Sequence, residues 1–245
     1  MDFSNSYEDK ERAEAYSKLE FAGTYYLAYR DLPEIISQHV NGKSVLDFGC
    51  GTGRSTRFLQ KLGFHVIGID ISEEMISIAK KLDQKNDYFL INDGDFHQFT
   101  PDSFDLILSA FTFDNVPTME KKIMLFSGLS SLLKQDGIII NLVSSPEIYT
   151  HEWASFTTKD FPDNKKAKTG DIVPIITKDI KDKRPCYDIF WSNEDYQKVF
   201  TKSGLKPIKI YKPLAIGDEP YHWVNETKIA PWTIYVLKKK VNVKI

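Results

Sequence analysis

Three glycines stand at alternate positions in Asp47-Phe48-Gly49-Cys50-Gly51-Thr52-Gly53, between the apolar run KSVL and the stretch RSTRFLQKLG. Glycines at such a junction let the backbone turn tightly and let a ligand approach the main chain. The surroundings restrict the ligand. The dinucleotide fingerprint is G-x-G-x-x-G. Counted from Gly49, its third glycine would fall at position 54, which is Arg54. The pattern present is D-x-G-x-G-x-G, with an acid, Asp47, two residues before the first glycine. A carboxylate at a strand's end repels phosphate and suits a ligand that carries an amino group.

The elements that must position this loop follow from apolar spacing. KSVLDFG is a short apolar run that ends in glycine, as a buried strand does. RSTRFLQKLG has helical spacing at Phe58, Leu59 and Leu62, with Gly63 as its stop. HVIGID predicts a second strand. Ser72 caps the next helix, with Glu73 and Glu74 in its favourable first turn. YFLIND and FDLILSAF predict strands three and four. A helix from Thr118 is expected to end at Gly137, before strand five in GIIINLVSS. Strands alternating with helices of about ten residues or more imply βαβ units and a parallel sheet. Strands apolar along their length fit a sheet covered on both faces. Residues 1–40 are expected to be a helical lid, 41–145 a doubly wound α/β core, 146–190 an inserted cap and 191–245 a helix and two strands that complete the sheet. DIVPIITKDI and RPCYDIFW are expected to pair as antiparallel strands.

VLDFGCGTG resembles the first motif of class I S-adenosylmethionine-dependent methyltransferases. The resemblance extends through GIDIS, DGDF, FDLILSAFTF and LLKQDGIII, over residues 43–145, with looser support from 191–245. It implies a doubly wound, mostly parallel seven-stranded sheet of the Rossmann-like methyltransferase type, its last strand reversed, and S-adenosylmethionine as cofactor. Asp47 and the loop Gly49, Cys50, Gly51 and Gly53 would then lie near the methionine moiety. Asp70, about 20 residues after the glycines, would meet the ribose hydroxyls, with Ile71 and Met75 on the adenine side. Asp95 and Phe96 would meet the adenine edge and face, and Ser109 or Ala110 the methionine part. Arg30 would clamp the methionine carboxylate, which a planar guanidinium does with two parallel bonds.

Methyl transfer from a sulfonium is an in-line displacement that requires alignment and exclusion of water. The segments outside the core are rich in aromatics suited to that: Tyr7, Tyr16, Tyr25, Tyr26 and Tyr29 early, Phe111 and Phe113 after strand four, Tyr149, Trp153 and Phe156 after strand five, Tyr221 and Trp223 before the last strand. An aromatic wall with few polar groups suits a small organic ligand and can face a cationic amine. The candidates for catalytic work are His151, Tyr16, Tyr26 and Asp114. Asp114-Asn115 stands where related enzymes often carry Glu-His, which weakens this position as the source of a base.

The chain of 245 residues carries 32 Lys+Arg against 34 Asp+Glu, a net charge of -2, which argues against non-specific grip on nucleic acid. From Lys159 to Arg184 eight Lys/Arg face five acids, the one stretch that keeps an RNA or protein acceptor as an alternative. A module that binds the cofactor without transfer is another. Two cysteines and no spaced His/Cys/carboxylate cluster give no metal site. The polar, acidic start and the absence of an apolar run of about 20 residues predict a cytoplasmic protein with no membrane span. The expected partner is a small-molecule acceptor, and the protein is expected to be a monomer or homodimer.

Overall fold

Apolar runs buried along nearly their whole length form the centre of the sheet. The computed structural model describes residues 9–85 and 87–240. Strands β1 (Ser44–Phe48), β2 (His65–Asp70), β3 (Asp87–Leu90), β4 (Phe104–Ala110), β5 (Leu133–Ser144), β9 (Leu205–Tyr211) and β10 (Trp232–Lys239) make one seven-stranded sheet in the order β3-β2-β1-β4-β5-β10-β9. The pairs among β1 to β5 are parallel. β10 is antiparallel to both its neighbours and is the reversed strand.

Alternation along the strands divides the core in two. Val45, Leu106, Leu108, Ile138 and Ile140 face one layer. Leu46, Phe48, Ile107 and Ile139 face the other. Helices α4 (Arg54–Lys61), α5 (Glu73–Leu82), α6 (Met119–Leu132) and α7 (Asn193–Lys202) follow their strands as the spacing predicts. Ser72, Thr118 and Ser192 each cap the next helix by accepting a backbone N–H.

Helix α6 does not run to Gly137. It stops at Leu132, and Leu133 already starts β5. Gly137 lies inside that strand, where a Cβ would come within 2.9 Å of the Phe104 carbonyl oxygen. The glycine serves close approach of backbones, not helix termination.

The amino-terminal segment forms α1 (Lys10–Tyr16), α2 (Thr24–Arg30) and α3 (Leu32–His39). Residues 1–8, and with them Tyr7, lie outside the described residues, as do 241–245. The helices expected as a lid are packed into the core. Tyr25, Leu27, Ala28, Tyr29, Leu32, Ile35 and Ile36 are buried in the same apolar cluster as β1, β4 and β5. Each full burial of this kind is worth roughly 1.5–3 kcal/mol. The segment 146–190 holds a small antiparallel sheet of β6 (Phe156–Thr157), β7 (Ile172–Thr177) and β8 (Cys186–Ile189). β7 and β8 pair as expected; β6 is an addition. Ile148, Tyr149, Trp153, Phe156, Val173 and Ile175 join this insertion to the core cluster of α2 and α3.

Candidate functional site

Strand order reverses between β1 and β4, and ligands of open α/β sheets bind in the crevice at the carboxyl ends of strands there. A cavity of about 390 Å³ lies at that place. Gly49, Gly51, Asp70, Ile71, Met75, Ala110 and Phe111 are among its walls. Its size is within the range of small-molecule sites, about 300–1,000 Å³.

The glycine loop and the acid of β2 are one hydrogen-bonded unit. Asp70 Oδ2 accepts the N–H of Gly51 at 2.8 Å, and Oδ1 accepts that of Ser72 at 2.9 Å. Burial pushes the Asp70 carboxyl up, and these backbone donors oppose it. Gly49, Gly51 and Gly53 all have positive φ, at 71°, 53° and 82°. Their reasons differ. A Cβ at Gly49 would sit 2.1 Å from Thr112 Oγ1, and at Gly53 2.6 Å from the Tyr88 hydroxyl. At Gly51 it would meet nothing nearer than Met75 Sδ at 4.0 Å. Gly51 therefore leaves open space where the loop lines the cavity.

Asp47 is fully buried. Its Oδ2 accepts from Ser55 Oγ and Thr56 Oγ1, both at 2.6 Å, while Oδ1 has no partner. Burial pushes this carboxyl up to about 6, against the two hydroxyl donors. An orphaned buried carboxylate oxygen is costly, but Asp47 lies behind the loop and does not line the cavity, whose wall its neighbours Phe48 and Gly49 reach instead. The open Gly51, the cavity size and the Asp70 acceptor fit S-adenosylmethionine.

Other expected residues are placed differently. Arg30 does not reach the cavity. Its guanidinium is held by Asp31 at 2.7 and 2.9 Å, by Glu219 at 2.9 Å and by the Leu214 carbonyl at 3.1 Å. Asp95 does not line the cavity; its Oδ1 accepts the His97 N–H in a local turn. Asp93, two residues earlier and paired with Lys121, lines the wall instead. Phe96 packs on Phe48 and over Gly128 in the core. Ser109 is buried with an unpartnered hydroxyl, while Ala110 is at the wall. Cys50 packs with Ile76, Ala79 and Tyr88, and burial pushes its thiol well up.

Among the catalytic candidates, Tyr16 lines the cavity. His151 does not: its Nδ1 lies 3.0 Å from Thr150 Oγ1 and 3.1 Å from the Glu147 carbonyl. Tyr26 packs against Tyr221, centroids 5.3 Å apart. Asp114 lies in a smaller adjoining chamber, where its carboxylate accepts the N–H and hydroxyl of Ser144. Two groups escaped the sequence reading. Arg54, noted there only as the missing glycine, is enclosed by Tyr16, Phe21, Tyr25 and Tyr29 at 4.8–5.8 Å from their ring centroids. Lys122 is fully buried and donates to the Phe113 carbonyl. Its place four residues before Phe126, on the apolar stripe of α6, is a signal that was there to find.

A Rossmann-like sheet with a D-x-G-x-G-x-G loop bonded to the acid of β2 defines the methyltransferase class. The chain belongs to the methyltransferase-domain family, which matches residues 39–204. An uncharacterized methyltransferase of Bacillus mycoides (strain KBAB4) is 38% identical over 113 residues, 46% of this chain and 51% of that one. The cypemycin N-terminal methyltransferase of a Streptomyces species is 36% identical over 106 residues, 42% of this chain and 43% of that one. The chain thus spans about half the length of the curated relatives it matches. The fold is shared with a S-adenosylmethionine-dependent methyltransferase of Clostridium acetobutylicum, at TM-score 0.61 and 16% identity over 96% of both chains. It is shared too with the CcbJ methyltransferase of Streptomyces caelestis, at TM-score 0.64 and 14% identity over 94% of this chain and 96% of that one. No described helix is long and apolar enough to cross a membrane, and no described cluster has the make-up of a metal site.

Proposed function

We propose that the protein is an enzyme that transfers a methyl group from S-adenosylmethionine to a small or medium-sized organic acceptor through nitrogen or oxygen. The observation that carries this reading is the Asp70–Gly51 unit lining a cavity at the switch point of the sheet. S-adenosylmethionine supplies an electrophilic methyl group on a sulfonium. Asp70 keeps lone pairs for ribose hydroxyls, and Ile71 and Met75 offer apolar surface to the adenine. The acceptor's lone pair forms the new bond to carbon as the S–C pair stays on sulfur. Tyr16 and Phe111 line both the cavity and the chamber beside it.

Thermal unfolding with S-adenosylmethionine, S-adenosylhomocysteine and NAD at equal concentrations tests the reading. A ligand at about 100 times its Kd adds about 2.7 kcal/mol, worth several degrees at this size. Both adenosyl compounds are expected to raise Tm and NAD is not. A rise with NAD alone, or with none, overturns the assignment.

A further inference from the structure

The smaller chamber shares Tyr16, Phe111 and Asn115 with the larger cavity, so the two adjoin. Two features of its wall stand together. Rings come from Tyr25, Phe111, Phe156 and Trp232, packed on one another with centroids 4.8–5.9 Å apart. Carboxylates come from Asp114, after β4, and Asp188, on β8. Phe111 is held at φ 66°, an arrangement that a bulky side chain rarely adopts.

Asp114 is served by Ser144, and Lys122 lies near both acids. Asp188 accepts a single hydrogen bond, from the Tyr149 hydroxyl at 3.1 Å, and no other described donor reaches it. Burial, and then the charge of Asp114, push its carboxyl up to about 8. Two carboxyl groups meet in a chamber faced with aromatic rings, an arrangement that a cation entering it would complement.

We propose that this chamber seats the methyl acceptor and takes the protonated amino group of an aliphatic amine, set between Asp114 and Asp188 and against the rings of Tyr25, Phe111 and Trp232. The proposal rests on the larger cavity holding the methyl donor. Its volume of about 40 Å³ is roughly three water-sized spheres, which admits an aminomethyl or aminoethyl end and not a ring. An ammonium nitrogen has no lone pair, so a proton must leave before transfer. Asp188 accepts it on a carboxylate oxygen. The freed lone pair then bonds to the methyl carbon, the S–C pair stays on sulfur, and the product is a protonated N-methylamine.

Ligand-observed NMR on the protein with S-adenosylhomocysteine bound tests this with ethylammonium, ethanol and propionate as probes. Ethylammonium and ethanol have three non-hydrogen atoms and propionate five, and a three-atom ligand binds no tighter than about millimolar, so the probes are titrated to tens of millimolar. Ethylammonium is expected to bind at least tenfold more tightly than either other probe. Asp188→Asn, nearly isosteric, is expected to lose that preference tenfold or more while its affinity for S-adenosylhomocysteine stays within about twofold. Equal binding of the three probes, preference for propionate, or an unchanged preference in the folded Asp188→Asn variant overturns the amine assignment. Failure of S-adenosylhomocysteine itself to bind the parent protein overturns the donor-site reading instead.

Discussion

The carboxylate of Asp70, at the end of β2, accepts the backbone N–H of Gly51 at 2.8 Å, so the acid that closes the second strand also holds the glycine loop of the first. Sequence separates the two by 19 residues, and the parallel pairing of β1 with β2 brings them together.

That bond gives Asp70 two tasks, ligand contact and loop support. Asp70→Ala is expected to weaken S-adenosylhomocysteine binding by more than about tenfold, because an orienting acceptor is lost and the Gly51 N–H loses its partner. Isothermal calorimetry on the folded variant measures it. An affinity equal to that of the parent would refute the assignment.

The loop glycines are expected to respond differently to alanine. Both sit at positive φ, where a side chain costs roughly 1–2 kcal/mol. Gly49→Ala also drives its methyl into Thr112 and is expected to lower Tm by more than Gly51→Ala. Gly51→Ala has room for its methyl and is expected to act on ligand affinity more than on Tm. Paired thermal and calorimetric measurements decide, and the reverse ranking would contradict the geometry.

Asp47 is expected to make stability fall as pH rises. Its carboxyl is pushed from the ordinary 3.8 up to about 6, by burial foremost. The folded state therefore binds the proton more tightly than the unfolded one. The destabilisation is absent below pH 3.8, grows between 3.8 and 6 and is complete above 6, at up to about 3 kcal/mol. Asp47→Asn keeps an acceptor for Ser55 and Thr56 and is expected to raise stability at pH 7. Denaturant unfolding at pH 4 and pH 7 checks this. A parent protein whose gain from Asp47→Asn is the same at both pH values would exclude the account.

Removing residues 1–29 is expected to unfold the protein, not merely to stop turnover. The cut takes away Thr24, Tyr25, Leu27, Ala28 and Tyr29, all buried, and with Tyr16 and Phe21 it strips the rings from Arg54. The apolar cluster that these residues cover would then face water. Near-UV circular dichroism and Tm of the truncated chain report the outcome. A native spectrum and a Tm within a few degrees of the parent would contradict this account of the packing.

The core was legible because its signals are local. Apolar strands such as SVLDF, capped helices and the spacing from Gly49 to Asp70 each repeat within a few tens of residues. The same logic misled at Gly137, where the glycine answers the Phe104 carbonyl of a neighbouring strand, and at DGDF, where Asp93 and not Asp95 reaches the wall. Local periodicity cannot tell which of two acids in a turn faces inward.

By itself the sequence determined the sheet, the loop and the acid opposite it, since strand burial and turn chemistry are properties of neighbouring residues. Only the tertiary structure decided that Arg30 is tied to Asp31 and Glu219, that Arg54 sits among four rings, and that Asp114 and Asp188 share one chamber. Those pairs are 74 residues apart in the last case and meet only because the insertion folds back on the end of the sheet. A contact of that kind is set by the summed packing of several elements, and no spacing along the chain encodes it.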